Sequence, residues 1–305
     1  EEVPKEKLSK RIVGFYNTSY KKLMIIPILM LIIALVVIGI QTATTGSFIH
    51  KDVSLKGGVT LTITKGGINI VALERELESR FTNNDISIRT INSGGGQIGA
   101  VIVADIEGTD REELGSFISA VESSVGELEE EDYSIEVMGS SLGESFFRET
   151  LIALVFAFIL MSIVVLIYFR SIIPSLAVIL AAFSDIIVTL AIVDLMGMKL
   201  STGGIAAFLM LIGYSVDTNV LLNTRVLKRK DGSVNERVLG AVKTGLMMTI
   251  TTIGALVVGI IFVQSAVIKQ IMIIVLIGLF VDIINTWIQN VGILKYYLRK
   301  NEQKD

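Results

Sequence analysis

The chain has 305 residues, 51% of them hydrophobic, and a mean hydropathy of +0.68, a composition that indicates a membrane protein rather than a soluble domain. It has no cysteine, which excludes disulfides, thiol catalysis and cysteine-based metal sites. The net charge is only −3, and the single histidine, His50, is expected to be an ordinary residue at the end of a membrane span rather than a ligand, so we predict no metal site.

The chain begins with a charged segment, residues 1–22, followed by an apolar run at 23–41. This run has no small-residue cleavage site after it, so we predict a retained first span and not a removed signal peptide. Five later runs are also long enough for helices that cross a bilayer. These predicted spans two to six cover residues 151–169, 173–193, 203–223, 245–263 and 268–294.

The segment between spans one and two, residues 47–148, predicts a separate α+β domain. It carries 8 Lys and Arg against 18 Asp and Glu, a net charge of −10. Alternating side chains predict strands, helical periodicity predicts two helices, and Thr109 is a candidate cap for the second helix. The expected order is βαββαβ, a ferredoxin-like arrangement. The predicted strands are 59–64, 85–91, 97–106 and 133–138, and the predicted helices are 70–81 and 109–128, with a turn at 94–96.

Lysine and arginine cluster in alternate connections between the spans. They are frequent in the segment 1–22, in the connection between spans four and five, and in the tail at 295–305. By the positive-inside rule, both termini are therefore cytoplasmic and the domain at 47–148 lies outside. The sequence thus predicts a multi-pass protein of the cytoplasmic membrane, with residues 151–294 forming the bundle of spans two to six.

Three carboxylates fall inside predicted spans: Asp185 in span three, Asp217 in span four and Asp282 in span six. Such a group costs about 2.5–3.5 kcal/mol at the bilayer centre on insertion scales, so it usually has a function. No Lys or Arg lies near the middle of any predicted span. We therefore predict that these carboxylates form a proton relay. Lys243, just before span five, is the candidate charged neighbour, because its long side chain can reach inward.

Polar and small residues accompany these carboxylates. In span six, their spacing predicts one polar helix face, which falls with Asp217 in the cytoplasmic half of the membrane. Polar residues in spans often only join helices through hydrogen bonds worth about 1 kcal/mol or less, and that interpretation stays open. The predicted supporting residues are Asn219, Thr251, Thr252, Asn285 and Gln289, and the span-six face also includes Thr286 and Asn290. A small-residue seam in span five consists of Ala241, Gly245 and Thr249.

The segment 211–226, LIGYSVDTNVLLNTRV, resembles the fourth-span motif of the SecD/SecF family of protein-export membrane proteins. Three further segments agree with this family: AFSD at 182–185, KT at 243–244 before TITT at 249–252, and KGG at 56–58. The resemblance covers nearly the whole chain and is closest to the SecF branch of archaeal type.

The resemblance implies the fold of the resistance–nodulation–division transporters with a small outer domain. It implies an accessory subunit of the Sec translocation channel, paired with a SecD-like membrane protein, that uses the proton motive force to assist export of unfolded polypeptide. Asp217 matches the family's protonatable aspartate. The family's span-five arginine has no match in register, since Lys243 is displaced by about one residue. We expect protons as the coupling ion, no cofactor and no nucleic-acid partner.

Two other functions remain open. A small-molecule or lipid exporter of the resistance–nodulation–division type usually has two six-span halves and larger outer loops, and drug or lipid accumulation in a deletion strain would identify it. A non-transporting scaffold predicts that a triple amide variant of Asp185, Asp217 and Asp282 still works. Neither a nucleophile–base arrangement nor a nucleotide-binding loop is present, so we do not expect an enzyme.

Overall fold

The computed structural model describes residues 19–82, 84–93, 96–106, 108, 110–129, 131–228, 232–263 and 265–302. Within these ranges, six helices are long and apolar enough to cross a membrane, which indicates a multi-pass membrane protein. A four-stranded antiparallel sheet with two helices forms a separate domain between the first and second of them.

The elements follow one another along the chain as α1 (Ile25–Thr45), α2 (Val53–Lys56), β1 (Gly58–Ile63), α3 (Ile70–Arg80), β2 (Ile86–Ser93), β3 (Gly96–Ala104), α4 (Arg111–Val125), β4 (Tyr133–Met138), α5 (Ser140–Phe169), α6 (Ile172–Leu195), α7 (Thr202–Lys228), α8 (Val234–Phe262), α9 (Ala266–Ile284), a π-helical turn (Asn285–Asn290) and α10 (Val291–Glu302). The first spanning segment runs over Ser19–Thr45 and includes α1. The sixth consists of α9, the π-helical turn and the greater part of α10.

Helices α6 and α7 form the centre of the membrane bundle. In their most apolar stretches, 56% and 50% of the residues are buried, against 6% in α5 and 11% in α8. The peripheral helices therefore turn apolar faces outward, toward lipid or toward a partner protein. The polar residues of α6 and α7 lie inside the bundle, where other helices can pair with them.

The domain between α1 and α5 has its sheet in the order β2-β3-β1-β4, with each neighbouring pair antiparallel. Alternate residues of β1 and β3 point to one face, where they pack against α3 and α4. Helix α3 is capped by Asn69, whose side chain accepts from the backbone N–H of Ala72 at 3.2 Å. The cap of α4 is Asp110 and not Thr109, which lies outside the described residues, and α4 ends at Val125 instead of residue 128.

The chain entering this domain is bonded to the loop between α6 and α7. The backbone N–H of Leu200 donates to the backbone oxygen of His50 at 2.6 Å, and the backbone N–H of Asp52 donates to the backbone oxygen of Leu200 at 2.9 Å. At the start of α7, the backbone N–H of Thr202 donates to Ser54 Oγ at 3.3 Å. His50 also interacts through Nδ1 with Asp194 at 2.7 Å, so this residue, expected to be unremarkable, joins the linker to the end of α6.

An ion-pair group strengthens the same junction. Asp85 of the domain pairs with Lys199 of the α6–α7 loop and, at 3.5 Å, with Lys56 of α2. Burial raises the pKa of Asp85, but the hydrogen bond and charge of Lys199, together with Lys56, outweigh burial and hold that pKa below its ordinary value. Burial raises the pKa of the neighbouring Asp105, which accepts from the backbone N–H of Asp85. The domain is thus attached to the beginning of α7 through backbone bonds and charges.

Candidate functional site

Two of the three predicted carboxylates lie together in the centre of the bundle. Asp185 of α6 and Asp282 of α9 are both fully buried, with 0% of each residue exposed. Asp185 accepts from Ser215 Oγ at 2.5 Å and from Asn285 Nδ2 at 2.7 Å. These bonds join α6 to α7 and to the π-helical turn, so Asp185 connects three segments of the bundle.

Asp282 is held in a similar way from the other side. It accepts from Thr218 Oγ1, at 3.0 Å to the nearer carboxyl oxygen, and from Thr286 Oγ1 at 2.8 Å. The carboxyl groups of Asp185 and Asp282 are close enough to interact electrostatically. Among the described residues, the hydrogen-bond donors to the two groups are hydroxyls and an amide, and none is Lys or Arg. Two carboxyl groups this close at a buried site cannot both carry charge without strong repulsion, so the pair can hold and release a proton.

A row of amides continues from this carboxyl pair along α7. Asn290 Nδ2 donates to Asn219 Oδ1 at 2.5 Å, and Asn219 Nδ2 donates to the backbone oxygen of Ser215 at 2.7 Å. The side-chain oxygens of Asn285 and Asn290 are buried without a hydrogen-bond donor among the described residues. Buried acceptors normally bind a donor, so the cluster has capacity for further donors.

The polar face of the sixth spanning segment is shaped by the π-helical turn. Asp282, Asn285, Thr286, Gln289 and Asn290 are all buried, as their spacing predicts. The turn between Asn285 and Asn290 has π-helical rather than α-helical geometry, a feature that occurs often at functional sites. It places the polar groups of this segment next to α6 and α7 together.

The small-residue seam of α8 packs against this turn. Ala241, Gly245 and Thr249 are three of the four buried residues of α8. A Cβ added at Gly245 would lie 2.6 Å from Cη2 of Trp287, which is closer than real Cβ contacts. Gly245 therefore allows α8 to approach the π-helical turn closely.

Asp217 lies outside the buried cluster. It follows Val216 on α7 and is exposed on the bundle surface, whereas Ser215 and Thr218 are buried. Consecutive residues are about 100° apart around a helix, so Asp217 points away from the face that contacts the carboxyl pair. Its exposed neighbours along α7 are Ala206, Met210 and Gly213. The structure thus places Asp217 on a surface open to lipid or to a partner.

The three predicted residues of α8 also lie outside the cluster. Lys243 and Thr251 are exposed, and Thr251 donates to the backbone oxygen of Met247 in its own helix at 2.8 Å. Thr252 similarly donates to the backbone oxygen of Met248 at 3.1 Å. In the described part of the chain, Thr251 and Thr252 thus donate within α8 and not to the carboxyl pair, and their supporting role stays a prediction.

Ser215 and Thr218 are not among the residues predicted from the sequence, although both lie in the motif at 211–226. A helical-wheel projection of α7 identifies them, since Ser215, Thr218 and Asn219 are spaced by three and four residues and share one face. No group of three or more His, Cys, Asp or Glu in the described ranges is placed to hold a metal ion.

The chain is similar to membrane proteins of protein export. A family model described as "Protein export membrane protein SecD/SecF, C-terminal" matches residues 118–300. The chain is 37% identical over 284 residues to the protein-export membrane protein SecF of Methanolacinia petrolearia, covering 92% of this chain and 94% of the relative. It is 38% identical over 294 residues to SecF of Methanocaldococcus jannaschii, covering 94% and 98%.

The fold is also similar to a solved structure. The crystal structure of SecDF, a translocon-associated membrane protein from Thermus thermophilus, matches with a TM-score of 0.69 at 17% sequence identity. The match covers 93% of this chain but only 38% of that larger chain. At this identity the similarity concerns the fold alone, and it includes both the spanning helices and the domain between the first two.

Proposed function

Because the chain belongs to the SecD/SecF family of protein-export membrane proteins, we propose that it is an accessory subunit of the Sec translocation machinery that uses the proton motive force to assist export of unfolded polypeptide. Its proposed partners are a SecD-like membrane protein and the Sec translocation channel. Its proposed location is the cytoplasmic membrane, with both termini in the cytoplasm and the domain at 47–148 outside. We assign no enzymatic activity and no cofactor to it.

The observation that carries this proposal is the exposed position of Asp217 on a spanning helix. A carboxylate facing lipid near the bilayer centre costs about 2.5–3.5 kcal/mol. The helices among the described residues do not cover Asp217, although they bury Asp185 and Asp282 completely. A partner helix that packs on Ala206, Met210, Gly213 and Asp217 would remove this cost. The SecDF structure supports the SecD-like partner: this chain matches only 38% of that longer chain, so most of the SecDF chain has no counterpart here.

The buried pair gives α7 a second protonatable contact on its opposite side. Ser215 and Thr218 donate to Asp185 and Asp282, so a rotation or axial shift of α7 changes hydrogen bonds to both carboxyl groups. Uptake of a proton at Asp217 removes its charge and changes how α7 packs on the partner. We propose that this change and the protonation of the buried pair are coupled through α7.

The junction with the outer domain gives this motion a physical route outward. Helix α7 begins at Thr202, whose backbone N–H is hydrogen-bonded to Ser54. The preceding Leu200 forms backbone hydrogen bonds with His50 and Asp52. A shift of α7 therefore acts on the linker into the domain at 47–148. One proton crossing about 100 mV provides about 2.3 kcal/mol, enough to change a two-state population about 50-fold.

We further propose that the outer domain holds emerging polypeptide and has the ferredoxin-like arrangement. The element order β1-α3-β2-β3-α4-β4 and the strand order β2-β3-β1-β4 support that assignment. The acidic character of the segment 47–148, with a net charge of −10, suits a solvated outer face.

The test is export measured in cells that depend on this chain, with Asp217→Asn compared with Asp217→Glu. The Asn variant keeps the shape but cannot ionise, so we expect loss of the proton-motive-force-dependent part of export, whereas the Glu variant keeps part of it. Both variants should still be recovered with the SecD-like partner. Unchanged export and proton flux in Asp217→Asn would show that the proposed coupling is wrong.

The same cells distinguish the two other functions. A scaffold predicts normal export in the Asp185→Asn, Asp217→Asn, Asp282→Asn triple variant, provided that the protein is present in the membrane. A small-molecule or lipid exporter predicts altered drug or lipid accumulation with normal protein export.

A further inference from the structure

A groove of about 370 Å³ lies between the beginning of the first spanning segment and the end of the sixth. Its walls are apolar and are formed by Met24, Ile25, Ile28 and Ile293, while Lys21 and Tyr296 stand at its mouth. Ile25 and Ile28 are 61% and 47% exposed, so the groove opens toward the surroundings of the bundle. The proposed coupling through α7 does not use this groove.

A close approach of the two helices forms the groove floor. A Cβ added at Gly292 of α10 would lie 2.5 Å from Sδ of Met24, closer than a side chain tolerates. Gly292 thus lets α10 approach the first spanning segment closely beside Met24. Beyond this contact, the helices leave the space that Ile28 and Ile293 line.

The mouth of the groove is positively charged. Lys21 Nζ lies 5.7 Å from the ring centroid of Tyr296, and Arg299 Cζ lies 5.2 Å from that of Tyr20. Cation–π contacts position these cations without neutralising their charge. Lys295 is buried nearby, with 4% of the residue exposed. The stretches 19–28 and 291–301 together contain five Lys or Arg and no Asp or Glu.

The shape and lining of the groove indicate what can fill it. An apolar groove of about 370 Å³ between two helices suits an extended hydrocarbon chain. Apolar walls that lead to paired cations at a helix end match an amphiphile with a negative headgroup.

We propose that this groove binds a membrane phospholipid with an anionic headgroup. One acyl chain lies along Met24, Ile25, Ile28 and Ile293, and the phosphate lies between Lys21 and Arg299. The tyrosine rings of Tyr20 and Tyr296 stand at the level of the headgroup, where amphipathic aromatic side chains are favoured. The bound lipid fixes the first spanning segment against α10. This site does not depend on the export function.

Native mass spectrometry of the full chain in detergent tests the proposal with phosphatidylglycerol and phosphatidylcholine as probes. We expect phosphatidylglycerol to be retained over phosphatidylcholine. Lys21→Gln and Arg299→Gln should each weaken its binding on the order of 5-fold, since one basic residue near a lipid surface contributes about that factor. Lys22→Gln is the matched control, because Lys22 is exposed and lies outside both the groove lining and the two cation–π contacts of Lys21 and Arg299, and it should change binding less than 2-fold.

Two results of that experiment would overturn the proposal: equal retention of both lipids, or unchanged phosphatidylglycerol binding in the Lys21→Gln, Arg299→Gln double variant. A photoreactive residue introduced as Tyr296→p-benzoylphenylalanine identifies the occupant in vesicles that contain phosphatidylglycerol. A lipid adduct supports the proposal. An adduct with residues 1–18 or with a second copy of the chain contradicts it.

Discussion

Substitutions at Asp185 test whether the buried carboxyl pair is a hydrogen-bonded unit. In Asp185→Ala, Ser215 Oγ and Asn285 Nδ2 lose their acceptor at a fully buried site. Each buried donor left without an acceptor costs about 1–3 kcal/mol, so we expect Asp185→Ala to lower the free energy of unfolding by about 2–6 kcal/mol.

Asp185→Asn should behave differently, because the new amide oxygen can still accept from Ser215. The side-chain oxygen of Asn285 has no donor among the described residues, so a rotation of that amide lets it accept from the new NH₂ group. We expect Asp185→Asn to cost less than about 1.5 kcal/mol, the scale of one ordinary hydrogen bond.

The measurement is the unfolding of the purified full chain in one detergent, followed by circular dichroism, for the wild type, Asp185→Asn and Asp185→Ala. A matched control is Asp194→Asn, which affects the junction with His50 and not the carboxyl pair. Equal losses in Asp185→Asn and Asp185→Ala would refute the reasoning, because the stabilising contacts would then not depend on an acceptor at this position.

Three further predictions concern the junction and the packing of the bundle. Because the pKa of Asp85 is lowered in the folded protein, its pairing with Lys199 stabilises the junction at pH values above 3.8, its ordinary pKa. This stabilisation is lost as the pH falls through the lower, folded-state pKa. The raised pKa of Asp105 has the opposite effect on the pH dependence. At neutral pH, Asp85→Asn should lower the stability of the junction by roughly 0.5–1 kcal/mol, a range kept small because Asp85 is partly exposed. The expected readout is faster hydrogen exchange in residues 196–201, and unchanged exchange there would refute the prediction. Gly245→Leu should destabilise the bundle by about 1–3 kcal/mol, because the new side chain would clash with Trp287. The control Gly254→Leu, at a glycine with open space around it, should cost much less, and equal effects would contradict the close packing at Gly245. Asp217→Leu should leave the free energy of unfolding of the isolated chain nearly unchanged, since Asp217 has no partner within the described bundle. The same variant should abolish proton-dependent export. A loss of stability like that of Asp185→Ala would contradict the exposed position of Asp217.

Much of the fold could be predicted from the sequence because apolar runs and alternating side chains reflect local geometry. The six spans and the four-stranded sheet follow from such patterns. Helix ends were harder to predict, since polar residues extend helices beyond the apolar run. Helix α8 begins at Val234, eleven residues before the predicted span, and its capping box of Ser233 and Glu236 was a readable signal at the correct spacing.

The candidate site could be predicted only in part. Asp185 and Asp282 are identified by their cost in an apolar helix, but their proximity to each other depends on how α6 and α9 pack. The polar spacing of 282–290 fits an ordinary α-helix, so it does not predict the π-helical turn at Asn285–Asn290. The sequence places Asp217 at the depth of this polar stripe, but its outward direction follows from the 100° between it and Thr218 and from how α7 packs.

Photocrosslinking from a unique cysteine measures directly whether a partner covers the Asp217 face. The chain has no cysteine, and a side chain added at Gly213, one turn from Asp217, has open space around it. A benzophenone group attached to Gly213→Cys in native membranes should form an adduct with a SecD-like protein, and Leu195→Cys, on an exposed end of α6, serves as the control. A SecD-like adduct from Gly213→Cys alone is the predicted result. Adducts with lipid only at Gly213→Cys would contradict the claim that Asp217 works at an interface with a partner.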